Sequence, residues 1–157
     1  MESCSVIFVE GGSRRQRKLT IDCASFAWMQ LMPRIVNCEI NFIIKKLEVY
    51  EGTCLDTDSR IFQIEVDKKL GVSDDFITTI FHEMVHVKQF ARNELYEPAA
   101  KQGSRWKGEW LSPNQKCVKD YWDQPWEIEA HGRECGLFVR WAEKNGHSKK
   151  KWAQYDL

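Results

Sequence analysis

Five consecutive residues carry the clearest chemistry in this chain: His82-Glu83-Met84-Val85-His86, an H-E-x-x-H pattern. Side chains four positions apart on a helix lie on one face, one turn above the other. Two imidazoles so placed can both bind one tetrahedral zinc ion. Glu83 then stands beside the open metal position, where a carboxylate can take a proton from zinc-bound water. The chemistry this pattern points to is metal-assisted hydrolysis, with a peptide bond as the first expectation. A catalytic zinc takes three protein ligands and keeps a fourth position for water, so one ligand has to come from elsewhere.

The candidates lie downstream, in Glu127-Ile128-Glu129-Ala130-His131. Helical spacing puts Ile128, Cys135, Phe138 and Ala142 on an apolar stripe, with Glu127, His131 and Glu134 along its edge. Glu129 aligns with Arg133 and Arg140 on a charged face expected to be solvated. Glu127 and His131 therefore both stand as third ligand, and whichever does not bind the metal is free to orient a residue that does. Tyr121 is the first candidate for an oxyanion donor and His131 the second.

The elements that must position these residues follow from periodicity. Ser73 or Asp74 caps a helix in which Phe76, Ile77, Ile80, Phe81, Met84 and Val85 form a broad apolar face. His82, His86, Gln89 and Asn93 make a polar stripe beside it. A second helix starts at Pro125 and runs to about Lys144, where Asn145-Gly146 ends it. Upstream, Ser5–Glu10 reads as a strand closed by Gly11-Gly12, and Asp22 caps a helix over 23–32. Two further runs, 38–50 and 60–66, predict an antiparallel pair joined by a turn-rich stretch. Within that stretch Asp56-Thr57-Asp58 lacks the glycine and glutamate of a calcium loop. Residues 103–119 predict a short hairpin or loop with aromatic anchors, and 147–157 an exposed tail.

Composition agrees with one domain of 157 residues, 43% of them hydrophobic, enough for a real core. Lysine plus arginine balances aspartate plus glutamate at 23 each, so net charge gives no argument for nucleic acid or a membrane surface. The basic run Arg14–Lys18 reads as a solvated turn. No apolar run spans a bilayer and no secretory signal precedes Ser5, so a cytoplasmic protein is expected. The six cysteines form no C-x-x-C pair and are expected as free thiols in a reducing compartment.

His82-Glu83-Met84-Val85-His86 together with Pro125-Trp126-Glu127-Ile128-Glu129-Ala130 resembles the small zincin metallopeptidases of gluzincin type, compact versions of which occur in bacteria and phages. The resemblance covers roughly the second half of the chain. It implies an α+β, zincin-like fold: a small mixed sheet packed on the H-E-x-x-H helix, and a C-terminal helix bearing the third ligand. It implies one catalytic Zn²⁺ held by His82, His86 and Glu127, Glu83 as the base, a protein or peptide substrate, and host cytoplasm if the source is viral. It also makes residues 60–66 the edge strand for substrate. Gluzincins commonly place an aspartate four residues after the ligand glutamate, where this chain has His131. The related SprT-like proteases, which act on DNA-associated protein, use a third histidine, and His131 is its counterpart; their zinc-ribbon cysteines are absent. A non-catalytic zinc-stabilised binding module is the reading from another class.

Overall fold

A computed structural model describes residues 5–111 and 118–151. The elements run β1 (Val6–Gly11), α1 (Arg14–Leu31), β2 (Glu39–Lys45), β3 (Gly52–Asp58), β4 (Ile61–Asp67), α2 (Asp74–Ala91), β5 (Leu95–Tyr96), β6 (Ser104–Trp106), β7 (Glu109–Leu111), α3 (Val118–Trp122) and α4 (Pro125–Lys144). The architecture is mixed α+β, with a four-stranded sheet ordered β1-β2-β4-β3 and a small three-stranded sheet β5-β6-β7. The β6–β7 hairpin matches the expectation for that region; Pro113 lies outside the described residues.

Alternation builds the large sheet. Ile40, Phe42 and Ile44 on β2, with Phe62, Ile64 and Val66 on β4, are all fully buried on one face. The pairing differs from the expected antiparallel pair: β1, β2 and β4 run parallel, and β3 is antiparallel to β4. The stretch 51–59, rich in turn formers, folds largely as strand β3, and Asp56 and Asp58 lie on it. Only Ser59 and Arg60 turn the chain, with Arg60 at φ 60°. β4 folds back from that turn into the place between β2 and β3. It is therefore an interior strand, and among the described residues the open edge beside α2 belongs to β3.

Helix α1 starts eight residues earlier than Asp22. Ser13 Oγ accepts the Gln16 amide at 3.1 Å, and the Gln16 side chain accepts the Ser13 amide at 3.0 Å, a reciprocal cap. The basic run thus occupies the first helical turns, where Arg17 donates to the carbonyls of Gly11 and Gly12. Gly11 is at φ 76°, and a Cβ there would lie 2.2 Å from the Ile44 carbonyl oxygen, so the exit from β1 requires glycine.

Helix α2 begins at the Ser73 cap and is packed by α1, α4, β3 and β4. It is buried from Phe76 to Ala91 with Thr78 alone partly exposed, polar stripe included. On α4 the inward face is Trp126, Glu127, Ala130, Leu137, Phe138, Trp141 and Ala142. Ile128 and Cys135, expected in the apolar stripe, point outward, because α4 turns the Glu127 side toward α2. His147 packs its ring 5.1 Å from Trp141, so the tail begins docked; residues 148–151 are exposed and 152–157 lie outside the described residues. Cys23 and Cys38 are buried, Cys54 is half-buried and Cys135 exposed, all as free thiols, while Cys4 and Cys117 lie outside the described residues. Among the described residues, no helix is long and apolar enough to cross a membrane.

Candidate metal centre

α2 presents His82 and His86 one turn apart, and the first turn of α4 brings Glu127 across to meet them. A carboxylate at that position is favoured by the helix dipole. Glu127 Oε2 lies 3.2 Å from His82 Nε2, and Oε1 lies 3.4 Å from His86 Nε2. The two Nε2 atoms are 3.1 Å apart. All three residues are at least nine-tenths buried.

The outer ring nitrogens decide what this convergence means. His82 Nδ1 lies 2.8 Å from Glu134 Oε2; a carboxylate only accepts, so Nδ1–H donates. His86 Nδ1 lies 2.8 Å from Gln89 Oε1. The Gln89 amide nitrogen donates to the Trp126 carbonyl at 3.0 Å and to Glu129 Oε2 at 2.9 Å, so its oxygen must face the imidazole. His86 Nδ1–H therefore donates as well. In their neutral forms both histidines aim Nε2 lone pairs at each other and at a carboxylate. Such a set contains acceptors only and calls for a cation at its centre. These buried His/Glu groups could hold a metal ion, and the donor chemistry fits a divalent one.

Without a metal, electrostatics favours a proton in the cation's place. Burial pulls the His82 imidazole down, but its hydrogen bonds to Glu127 and Glu134 outweigh that and push it up to about 10. Burial opposes ionisation of Glu127, yet the two histidines and Tyr121 hold it well below the usual carboxylate range. Burial pushes Glu83 up to about 7 against the pull of His86 and His82. Glu83 is 5% exposed, and its carboxylate takes no hydrogen bond among the described residues.

The other sequence candidates fall nearby. The Tyr121 hydroxyl donates to Glu127 Oε2 at 2.7 Å, which positions that carboxylate. His131 lies between the rings of His82 and Trp122, at 4.5 and 4.6 Å, with Nε2 4.0 Å from Glu127 Oε2. A second grouping, His82, His131 and Glu134, omits His86 and so uses only one motif histidine.

Glu129 is not a solvated residue. Lys88 Nζ lies 2.6 Å from it and Arg133 Nε 3.0 Å, and it accepts from Gln89. Lys88 and Gln89 come from α2, which the periodicity of α4 alone does not register. Gln89, Glu134 and Gly52 went unassigned in the sequence. Gln89 sits on the predicted polar stripe and Glu134 on the same edge as Glu127, so their signal was present. Gly52 had none: a Cβ there would lie 2.8 Å from Glu83 Oε1 and 2.6 Å from Thr79 Cγ2.

Two cavities flank the centre. One of about 180 Å³ reaches Cys54, Phe90, Leu95 and Trp126. The other, about 700 Å³, opens toward Tyr50, Glu51, Asp75 and Trp122. Gly52, at the start of the β3 edge, lines both. No protein-family model, curated protein or solved structure matches this chain.

Proposed function

We propose that this chain is a zinc-dependent metallopeptidase with a zincin-like arrangement of helices and sheet. The observation that carries the reading is the convergence of His82, His86 and Glu127, acceptors only when the imidazoles are neutral, beside a buried carboxylate, Glu83, that has no hydrogen-bond partner among the described residues. His82, His86 and Glu127 would hold the ion. Bound there, zinc supplies a Lewis acid that polarises a carbonyl and acidifies water.

The chain's own residues supply the rest. Glu83, raised to about 7 by burial, accepts a proton from the attacking water and delivers it to the leaving nitrogen. Glu134 and Gln89 hold the two imidazoles in the tautomer that turns Nε2 inward. Tyr121 lines both cavities and is the candidate oxyanion donor, its hydroxyl leaving Glu127 for the substrate oxygen. An extended substrate backbone pairs with the open edge of β3, in place of the β4 edge expected from sequence.

The test is zinc content measured alongside cleavage of a quenched peptide library. The expected result is one zinc per chain with cleavage, and Glu83→Gln retaining zinc while losing about 10²–10⁴-fold in rate. A Glu83→Gln protein without zinc would overturn the assignment of Glu83 as a base. Wild-type protein with zinc, no cleavage and a large zinc-dependent gain in stability would establish a structural staple instead.

A further inference from the structure

The two cavities beside the metal centre differ in size and in the carboxylates at their mouths. The smaller sets Phe90, Leu95 and Trp126 beside Glu83, Glu97 and Glu127, and the exposed one of these, Glu97, accepts from Ser104. The larger has four carboxylates in its lining, Glu51, Asp75, Glu83 and Glu134, and, among the described residues, neither lysine nor arginine. Glu134 is engaged by His82 and His131. Glu51 and Asp75, both exposed at the rim, have no cationic partner among the described residues. Glu83 faces the same space from inside, nearly fully buried and without a hydrogen-bond donor among the described residues. Aromatic faces complete the wall: Tyr50 is 70% exposed and Trp122 53% exposed, large apolar surfaces left open to solvent beside the site.

We infer that the larger cavity is a subsite for a cationic side chain, lysine or arginine, of an extended peptide. The inference rests on the peptidase reading for its catalytic consequence, but the binding it describes can be measured separately. A long basic side chain lays its aliphatic stem along Trp122 and Tyr50 and carries its charge to Glu51 and Asp75. An acidic side chain at the same place meets the like charges of Glu51 and Asp75 at the rim. A divalent ion at the metal centre leaves the carboxylates in surplus, so the sign of the field in this cavity does not reverse when the metal binds. The β3 edge passes Gly52 into both cavities and so orders the peptide: its backbone runs along the edge, with one side chain directed to the smaller cavity and another to the larger one.

The experiment uses peptides of one sequence that differ at a single position beside the scissile bond: lysine, its neutral isostere norleucine, or glutamate. Cleavage is measured with zinc-loaded wild type and with the double variant Glu51→Gln/Asp75→Asn. Equilibrium binding of the same peptides is measured by fluorescence anisotropy on Glu83→Gln protein, with and without the two rim substitutions. The expected result is a preference for lysine over norleucine of on the order of tenfold in kcat/KM and in affinity. That preference shrinks as salt is raised and nearly disappears in the double variant, while norleucine peptides behave as before. Equal handling of lysine and norleucine peptides, or a lysine preference that the rim substitutions leave intact, overturns the inference. Rim-dependent lysine binding without cleavage by wild type supports the subsite and overturns the peptidase reading. Should the double variant melt lower than wild type, Glu51→Gln alone, at an exposed position outside any helix, carries the same comparison.

Discussion

Each imidazole of the centre is held by a different neighbour, and the two supports are unequal in reach. Glu134 fixes His82 from α4, while Gln89 fixes His86 from α2 itself and also ties the Trp126 carbonyl, one residue before Glu127. Gln89→Ala therefore loosens one histidine and the carboxylate together. We expect it to weaken zinc affinity by about 10–100-fold, measured by competition with a chromophoric chelator. Glu127→Ala removes one of the three proposed ligands and should cost more than that, whereas Glu129→Ala acts only through Gln89 and Lys88 and should cost less. Equal losses from Glu127→Ala and Glu129→Ala would refute the assignment of Glu127 as the ligand. Glu129 is legible in the sequence only as a helical carboxylate; its role depends on two α2 side chains that no property of α4 predicts.

At the scale of elements, the close approach of β3 to α2 is the sensitive contact. Gly52 sits against Glu83 and Thr79 with no room for a methyl group. A Gly52→Ala change must push either the edge strand or the Glu83 side chain. The expected outcome is a loss of at least about tenfold in kcat with zinc stoichiometry unchanged, since a small misplacement of a proton acceptor is costly. Full activity in this variant would show that the edge shifts freely. Trp141, 1% exposed and against Phe81 and Phe138, holds α4 onto α2 and so sets where Glu127 arrives. Trp141→Ala should destabilise the protein by about 3–5 kcal/mol, read from denaturant unfolding.

Across the whole molecule, the candidate ligands join two helices that are far apart in sequence, α2 and α4. A cation between them ties the central helix to the C-terminal one, and its removal leaves Nε2 lone pairs and a carboxylate facing one another. Chelation should therefore lower the melting temperature, and zinc should restore it. At an ion concentration about a hundredfold above the dissociation constant the linkage contributes about 2.7 kcal/mol, or roughly 5–10 °C for a chain of this size. A melting curve indifferent to chelator in metal-verified protein would refute a metal link between the helices.

Local information was enough to nominate the candidate metal-binding residues. H-E-x-x-H needs only helical spacing to bring His82 and His86 onto one face, and the Ser73 cap and apolar repeat supply the helix. Pro125 and Asn145-Gly146 likewise bound α4 from within the chain. The choice of inward face on α4 did not follow from its periodicity, because the face containing Ile128 and Cys135 is as apolar in sequence as one containing Trp126 and Ala130. Packing against α2 selects between them and carries Glu127, Glu134 and Glu129 to their separate partners. Strand order was hidden for a related reason. Residues 51–59 have weak strand propensity, and pairing with the buried strand β4 overrides it. That pairing makes β3 the free edge and brings Gly52 against Glu83. Local propensity and spacing thus identify which residues can do the chemistry, while contacts between elements distant in the chain decide what each of them touches.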